Sequence, residues 1–484
     1  MDSSTSNIEN VLYLFPNQLF YFHTISLVTS YNKIVLLEDP LFFGDNKRVL
    51  EFHPYKIVLH RASMTRFAEE ISKLSNKARV TIAPYQKNYN KMYSEHLPSS
   101  RKINVYKVHD HLLHKRLCSW ASSKRVDIQW MENPGFMFTD QDRESYSGAY
   151  LFSSFHRWAL QRLVLLDVFP KSLDKENRKR ATKEDLESLS HVHPMPACKH
   201  PKEDTSHIVK AMRDVPEVYK SHPSCDAHFP YPISYKAAKN ALNYFVKHKL
   251  ARFGDLQDFI ITKHEHPLLF HSGMSSSINI GIINPKEVLH VVSGQLKHKP
   301  TDKNDIEGFV RQLIWREYML LLYQRNYDKY VHSYENFKRS NVTKLSLHGP
   351  WYNMNKTDML TDNPILHHTI KKAQRWAYMH HIERLMVVLN YLLISGIHPQ
   401  SIYHWFMTYS IDAYDWVMIP NIYSMGYFSS IGTRKPYVSS SSYLVRMSDV
   451  KRDGVWDKKW DALFKKFLVS NKSLFKKTLY ANLV

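Results

Sequence analysis

The chain contains little cysteine: only Cys118, Cys198 and Cys225 occur among its 484 residues. They lie far apart and form no CxxC pair, which argues against a disulfide framework and against a metal site made of cysteines alone. Histidine is common, with 28 residues, but neither an HExxH sequence nor the spacing of a zinc finger is present. The sequence therefore predicts no metal centre.

A secretion signal and a long apolar run are also missing. The N-terminal residues MDSSTSNIEN do not place a basic segment before an apolar one. The most apolar stretch, Leu385–Ile397, is interrupted by Asn390 and Ser395 and is too short to span a bilayer. We therefore expect a soluble, intracellular protein, and the sequence does not distinguish the cytoplasm from the nucleus.

Acidic residues are outnumbered, since 66 Lys and Arg against 45 Asp and Glu give a formal net charge of +21. Such a charge attracts polyanions, because basic side chains that neutralise phosphates release bound counterions. A content of 43% hydrophobic and 13% aromatic residues indicates a globular fold. The charge therefore favours a nucleic acid or a membrane surface as partner, but it does not distinguish between these two. A similar charge also occurs in basic proteins that have no such partner.

The first part of the chain, residues 1–135, predicts an α/β domain. Val11–Phe15, Lys33–Leu37 and Lys56–Leu59 are short apolar runs rich in β-forming residues. Ser63–Leu74 has apolar residues at helical spacing after a serine cap. Strands that alternate with helices favour a parallel sheet. No GxGxxG or Walker sequence accompanies these strands, so the usual nucleotide-binding motifs are absent.

The rest of the chain divides into a connector at 136–233 and a helical part at 234–484. Residues 170–230 are rich in His, Lys, Asp and Pro, which is typical of a long connector and equally of a disordered linker. Beyond them, apolar residues at steps of three and four predict a series of helices, at Tyr235–Leu250, Asp305–Tyr323, Thr369–Ser395 and Ile402–Tyr409.

Three segments of the helical part carry groups suited to a ligand, and each also has an ordinary structural explanation. The serines of Phe270–Pro285 suit a diphosphate, although serines at a helix start are usually caps. Phe309–Tyr318 contains a Trp flanked by Arg, Glu and Gln, which suits the stacking of a flat ring and equally suits an amphipathic helix with surface ion pairs. In Trp376–Met386, two adjacent histidines on a helix point about 100° apart and so rarely share a metal. One of them is suited to donate a proton near neutral pH.

A fourth segment, Ile411–Asn421, supplies a carboxylate and an amide. Asp412 is a natural charge partner for Arg384, and Asn421, which follows a proline, is suited to present its amide to a ring nitrogen. Each of the four segments is a weak signal alone. Their order and spacing together are more specific.

In that order, WREY, MHHIERLM, IDAYDWVMIPN and KPYVSSSSYLVRMSD resemble the prokaryotic-type (6-4) photolyase branch of the photolyase/cryptochrome superfamily. The resemblance continues upstream through FPNQLF, LLEDP, MTRFAEEI, DKENRKR and FHSGM. It implies an α/β domain for an antenna chromophore and an all-α domain that binds a U-shaped FAD. It also implies light-driven repair of pyrimidine dimers in UV-damaged DNA, with (6-4) photoproducts as the expected lesion, by a monomeric protein.

The resemblance assigns residues to the flavin. Ser272 and Ser275 match hydroxyls at the FAD diphosphate. Arg384 and Asp412 match an ion pair beside the isoalloxazine, and Asn421 matches the segment that approaches the reactive edge of the flavin.

A second group of matching residues would form the cavity for the lesion: Gln312, Trp315, His380, His381 and Tyr437. Trp315 is the expected aromatic platform, because an unstacked base needs a ring to lie against. His381, assisted by His380, is the expected proton donor, which (6-4) chemistry needs and cyclobutane repair does not. Lys435, Arg446 and the lysine-rich C-terminal residues are candidates for the rim that holds the DNA backbone.

Electron relay and antenna positions match only in part. Trp405 and Tyr414 match relay aromatics of the family. Phe406 stands where the branch has a Tyr, and Thr357 stands where it has a Trp, unless the nearby Trp351 takes the place of that Trp in the folded protein. Glu38 and the Pro16–Gln18 turn, with Gln18, match the antenna pocket, which in this branch often holds a ribityllumazine. Pro16 and Asn17 depart from the family's Gly-Asp at this turn, so the resemblance does not identify the antenna chromophore.

The branch also has four cysteines that bind a [4Fe–4S] cluster, and no thiolate stands at the matching positions, which are Ile365, Lys451, Gly454 and Lys458. We therefore predict no cluster and expect an apolar plug around Ile365, Trp456 and Trp460. Two other functions stay open: a cryptochrome-like photoreceptor without repair activity, and a nucleic-acid-binding protein that has lost its cofactor.

Overall fold

The computed structural model describes residues 10–75, 77–173, 179–194, 200–215, 229–263, 266–297, 303–332, 362–427, 431–433 and 437–475. Thr357, Trp351, Lys435, most of DKENRKR and the C-terminal lysines beyond residue 475 lie outside these ranges. Within them, each helix is too short or too polar to cross a lipid bilayer.

A five-stranded parallel sheet forms the N-terminal part of the protein. Its strands are β1 (Val11–Leu14), β2 (Lys33–Leu37), β3 (Arg79–Ala83), β4 (Lys102–Tyr106) and β5 (Asp127–Met131). They lie in the order β3-β2-β1-β4-β5, so that β1 is central. Every residue of β1 is buried. This burial explains why the strand reads as a continuous apolar run and does not alternate, since helices cover both faces of such a sheet.

The helices of this part are α1 (Tyr21–Leu27), α2 (Pro40–Phe43), α3 (Pro54–Leu74), α4 (Tyr89–Glu95) and α5 (His111–Lys124). The predicted strand at Lys56–Leu59 is wrong, because these residues belong to α3. Pro54 stands in the first helical turn, and Nδ1 of His53 accepts a hydrogen bond from the Tyr55 amide at 3.1 Å. The helix therefore begins before the apolar run, which is buried because α3 is covered on most of its sides.

Where the structure describes it, the connector contains α6 (Asp140–Ser145), α7 (Phe152–Arg162), α8 (Lys183–Leu189) and α9 (Lys202–Arg213). The helical part then contains α10 (Tyr235–His248), α11 (Phe253–Leu256), α12 (Ser275–Ile280), α13 (Pro285–Gly294), α14 (Lys303–His332), α15 (Pro364–Trp376), α16 (Asn390–Ile394), α17 (Pro399–Tyr409), α18 (Asp415–Pro420), α19 (Ser441–Arg446), α20 (Trp456–Ser470) and α21 (Lys472–Phe475). Two π-helical segments, Glu383–Leu389 and Asn421–Gly426, precede α16 and follow α18. The predicted class, an α/β part followed by an all-α part, is confirmed.

Buried polar contacts join the sheet part to the helical part. Nζ of Lys56 on α3 donates to the carbonyls of Met407, at 3.1 Å, and Ala413, at 2.6 Å. The amide of His53 donates to the carbonyl of Thr408 at 3.2 Å. These contacts fix the chain between α17 and α18, which carries Asp412.

Candidate functional site

A cavity of about 870 Å³ opens among the helices of the C-terminal part, near the upper end of the usual range for ligand pockets. Its walls come from α7, α12, α14, α17 and the segments before and after α18. All the residues predicted for the cofactor and for the lesion line this one cavity: Ser272, Ser275, Gln312, Trp315, His380, His381, Arg384, Asp412, Asn421 and Tyr437.

Arg384 and Asp412 form an ion pair in the cavity wall. Nη2 of Arg384 lies 2.9 Å from Oδ1 and 3.1 Å from Oδ2 of Asp412. Nε of Arg384 donates to the Met379 carbonyl at 2.8 Å, and the Asn279 side chain donates to the Asp412 carbonyl at 2.9 Å. The contacts with Met379 and Asn279 hold both members of the pair in place, so that a positive and a negative charge border the cavity at fixed positions.

The serine segment and Asn421 lie on other parts of the same wall. Ser272 and Ser275 are half-buried, whereas the next two residues of α12 are fully buried. The helix ends at Gly281, with φ +90°, where an added Cβ would lie 2.6 Å from the Phe20 ring. Asn421 begins a π-helical segment and donates its amide to the Val417 carbonyl at 2.7 Å. Segments of this kind are frequent at functional sites.

His380 and His381 do not share one regular helix, as the sequence predicted for Thr369–Ser395. The helix α15 ends at Trp376, the next residue Ala377 has a left-handed φ of +50°, and the chain becomes helical again only at His381. The Glu383 carboxylate is paired with buried Lys372 at 2.6 Å and accepts from the His380 amide at 2.9 Å. These contacts stabilise the start of the next helical segment. The 100° separation expected for adjacent helical residues therefore does not apply.

The ring of His380 stacks on that of His271, with centroids 4.7 Å apart and an angle of 12°. Burial, together with neighbouring His271, holds the pKa of His380 well below its usual value. Burial likewise lowers the pKa of His271 to about 3. Neither ring nitrogen of His380 has a hydrogen-bond partner among the residues that the structure describes.

His381 is more accessible and has a carboxylate partner that the sequence reading missed. Its Nε2 lies 3.0 Å from Oδ1 of Asp258. The Gln312 side chain is held nearby, because its amide donates to Oε1 of Gln257 at 3.1 Å. Asp258 lies between the recognised segments DKENRKR and FHSGM and carries no motif of its own, so only the fold relates it to the histidines.

Trp315 has an aromatic neighbour that was also missed. The ring of Phe152, at the start of α7, stacks on the Trp315 indole with centroids 3.7 Å apart and an angle of 6°. Leu151 pairs with Gly432 in an isolated bridge beside it. Phe152 lies in the connector, where the sequence predicted no functional residue, yet it forms part of the cavity wall.

Arg316, the residue after the predicted platform, also lines the cavity. Its guanidinium lies 4.1 Å from the Phe136 ring centre and 5.0 Å from that of Trp416, and it contacts Glu317 at 3.2 Å. Burial lowers its pKa to about 10, against the opposing effect of Glu317. The WREY motif contains Arg316, but the contact of Arg316 with Trp416 depends on the tertiary fold.

The predicted relay residues lie deeper in the protein. Trp405 is fully buried and contacts Phe406, which lines the cavity, edge to face with centroids 5.2 Å apart. The Tyr414 hydroxyl lies 3.0 Å from Nε2 of His60 on α3. The relay assignment stays a prediction, and its Thr357 position lies outside the described residues.

Glu38 and Gln18 are buried at the sheet and do not line the central cavity. Oε1 of Glu38 accepts from Arg61 at 2.8 Å and Oε2 from the Tyr85 amide at 3.0 Å, while the Gln18 amide donates to the Tyr106 carbonyl at 2.9 Å. Both side chains thus have partners within the protein, and their antenna role stays a prediction.

At the positions of the family's cluster cysteines, Ile365 is fully buried, Gly454 is half-buried, and Lys451 and Lys458 are exposed. Trp456 and Trp460 are each 1% exposed. Their indole groups donate to the carbonyls of Lys451, at 3.2 Å, and Ser439, at 3.0 Å. The two tryptophans are thus packed with their polar atoms bonded, in keeping with the expected plug.

Comparison with known proteins is consistent with this geometry. Residues 12–223 match the family described as deoxyribodipyrimidine photo-lyase-related protein. A (6-4) photolyase from Agrobacterium fabrum is 33% identical over 264 residues, which cover 51% of this chain and 49% of that protein. The chain therefore matches about half the length of this curated relative.

Solved structures resemble the whole fold at low sequence identity. The Synechocystis sp. PCC6803 cryptochrome has a TM-score of 0.61 and 12% identity, over 96% of this chain and 89% of that one. An archaeal photolyase from Sulfolobus tokodaii, described with two FAD molecules, has a TM-score of 0.54 and 13% identity, over 97% and 94%. At such identities the resemblance shows the fold alone.

Proposed function

We propose that this chain is a member of the deoxyribodipyrimidine photolyase-related family, as its match over residues 12–223 and the 33% identical (6-4) photolyase support, and that it is a light-driven lyase that repairs pyrimidine dimers, foremost (6-4) photoproducts, in UV-damaged DNA. The observation that carries this proposal is the convergence of two groups of side chains in one cavity. One group suits a flavin dinucleotide, and the other suits a dimer of two adjacent pyrimidines that has been extruded from the duplex.

The first group fits FAD. The Arg384–Asp412 pair offers opposite charges to the polar edge of a flat ring system, and Asn421 adds an amide nearby. Ser272 and Ser275 provide hydroxyls, and a cavity of about 870 Å³ leaves room for a folded dinucleotide. Bound FAD would supply the photochemistry, which is the transfer of an electron to the lesion on excitation by light.

The second group would receive the lesion. The Trp315–Phe152 pair gives an aromatic surface against which a flipped base can lie, and stacking of this kind contributes about 1–3 kcal/mol per base. Gln312 and Tyr437 border the same space and can hydrogen-bond to base edges. Extrusion of the damaged bases is needed, because the dimer cannot reach a buried cofactor inside the duplex.

His381 is placed to donate a proton to the lesion. Its ring lines the cavity, and the contact of 3.0 Å between its Nε2 and Oδ1 of Asp258 holds the ring in place. His380 is a poorer donor, because its burial favours the neutral ring. The two histidines are therefore suited to different tasks, with His381 as the acid and His380 as a neutral wall residue.

The experiment compares two lesions under light. Purified protein is illuminated with duplexes that carry either a (6-4) photoproduct or a cyclobutane dimer, with dark samples as control. We expect light-dependent loss of the (6-4) photoproduct. Flavin photochemistry without loss of either lesion would support a photoreceptor, and a colourless protein that releases no flavin on denaturation would support a cofactor-free nucleic-acid-binding protein.

Two variants refine the assignment. His381→Asn should lower (6-4) repair about 10²–10⁴-fold, as expected for loss of general acid catalysis. Asp258→Asn should lower it less, because the amide that replaces the carboxylate can still hold the His381 ring in place. Binding of undamaged DNA should be the same for both variants and for the parent protein.

A further inference from the structure

A buried guanidinium joins the sheet part of the protein to the helical part. Arg48 follows β2, and its side chain is 10% exposed. Its Nη1 lies 2.5 Å from Oδ2 of Asp110, and its Nη2 lies 3.1 Å from Oδ1 of the same carboxylate. Nη2 also lies 3.3 Å from Oδ1 of Asp415. One positive charge is therefore shared between two carboxylates, one in the segment after β4 and one at the start of α18.

Within the sheet part, both Arg48 and its first carboxylate are fixed. Oδ1 of Asp110 accepts hydrogen bonds from the amides of Leu112, at 3.0 Å, and Leu113, at 3.1 Å, and so caps α5. The backbone amide of Arg48 donates to Oδ1 of Asp45 at 2.7 Å. The guanidinium is therefore a rigid support for the carboxylate that it contacts in the helical part.

Asp415 connects this support to the cavity. It is 3% exposed, and its carboxylate also accepts from the hydroxyls of Tyr403 on α17, at 2.6 Å, and Tyr323 on α14. The next three residues of α18, beginning with Trp416, all line the cavity. The position of Asp415 therefore sets the position of the cavity wall that α18 forms.

The chemistry of the Arg48 contact suits positioning more than stability. A buried ion pair rarely stabilises a protein more than apolar side chains of the same volume would, because both charges lose their hydration. A planar guanidinium, however, contacts carboxylates in defined directions, which neither an apolar side chain nor the point charge of a lysine does. The contact therefore fixes the placement of α18 relative to the sheet part.

We propose that Arg48 is a positioning residue of the flavin cavity, and that it acts through Asp415 on the wall that α18 contributes. The proposal rests on the flavin site of the proposed function and adds to it a residue that lies outside the cavity lining. Removal of the guanidinium leaves Asp110 and Asp415 without their shared cation, and a shift of α18 that separates the two carboxylates changes the cavity wall.

The test is a titration of the full-length protein, freed of flavin, with FAD, followed by the fluorescence of the added flavin. Arg48→Met should raise the Kd for FAD about 2–30-fold, the range for residues that act on a site from a distance. Arg48→Lys should recover only part of this loss, because an ammonium group restores the charge but not both contacts.

A double-mutant cycle tests the route through Asp415. Asp415→Asn keeps the volume of the side chain and removes its charge. Arg48→Met should therefore raise the Kd much less in the Asp415→Asn protein than in the parent protein, because the residue through which it acts has already been changed. Equal effects in the two backgrounds would overturn the proposal, as would a Kd that Arg48→Met leaves unchanged.

Arg66→Met is the matched control. Arg66 is also a buried arginine paired with two carboxylates, since it lies 2.9 Å from Oδ1 of Asp204 and 2.9 Å from Oε1 of Glu70. It joins α3 to α9, and none of the three residues lines the cavity. Arg66→Met should lower the melting temperature, as Arg48→Met should, but it should bind FAD with the Kd of the parent protein.

Thermal melting of each variant separates positioning from a general loss of stability. Equal loss of FAD binding in Arg66→Met and Arg48→Met would show that destabilisation alone is responsible, which would overturn the proposal. Arg48→Lys, which keeps a charge, serves for the same comparison where Arg48→Met does not fold. A parent protein that binds no FAD would contradict the proposed function itself, whereas a parent protein that binds FAD no more tightly than Arg48→Met would contradict only the role of Arg48.

Discussion

The ring of Phe152 lies parallel to the indole of Trp315, with 3.7 Å between the centroids and 6° between the planes. The two residues belong to different parts of the chain, α7 in the connector and α14 in the helical part. The pair therefore attaches the connector to the cavity wall and forms an aromatic surface at the site proposed for the lesion.

This stacking should be measurable as a coupling between the two side chains. Phe152→Ala, Trp315→Ala and the double variant form a double-mutant cycle in equilibrium urea unfolding. We expect a coupling free energy of about 0.5–1.5 kcal/mol, as found for aromatic pairs in contact. Additive effects of the two single changes would contradict the stacked geometry.

The Arg384–Asp412 pair should control retention of the flavin. Arg384→Met removes the positive charge while keeping most of the side chain's length, and leaves the Asp412 carboxylate without its partner. The expected result is a large fall in the ratio of flavin to protein after gel filtration, read from the absorption spectrum. Arg375→Met, which changes an exposed arginine on α15, is the control and should keep the ratio of the parent protein.

Ile365 should be sensitive to charge and tolerant of a smaller apolar residue. It is fully buried, so Ile365→Asp places a carboxylate where water cannot reach it. We expect a loss of several kcal/mol in the free energy of unfolding, or failure to fold, whereas Ile365→Val should cost about 0.5–1.5 kcal/mol. Equal melting temperatures for the two variants would refute the buried plug. Iron and acid-labile sulfide analysis of the same samples tests the predicted absence of a cluster.

Lys56 should make the stability of the protein depend on pH in the alkaline range. Burial lowers its pKa from 10.5 to about 7, although Asp412 opposes the shift. Between these two values the folded chain holds Lys56 neutral while the unfolded chain binds a proton there, so the unfolded state carries more protons and stability rises with pH. The neutral amine still has two N–H groups for the carbonyls of Met407 and Ala413.

Comparison with Lys56→Met isolates this contribution from the other titrating groups. The free energy of unfolding of the parent protein, minus that of the variant, should increase from pH 7 to pH 10. The slope should not exceed about 1.4 kcal/mol per pH unit, the value for one proton. A difference that is constant or falls over this range would show that Lys56 stays charged when buried.

The sequence by itself determined the fold class and ten of the side chains that line the cavity. It could do so because β1 and β2 are continuous apolar runs, as both faces of a parallel sheet are covered, and because the motif order places Arg384, Asp412 and Asn421 on successive segments. Period and order along the chain are local properties, and they can be read without coordinates.

Only the tertiary structure decided how the individual groups act. The apolar run at Lys56–Leu59 is compatible with a buried strand and with a helix that is covered on most sides. The helix forms here because Pro54 and the cap at His53 begin it just before the run. The break at Ala377 brings His380 out of the helix that its neighbours predicted. Contacts between residues more than one hundred positions apart, such as those of Phe152 with Trp315 and of Asp258 with His381, depend on packing between elements, which no pattern within a single segment contains.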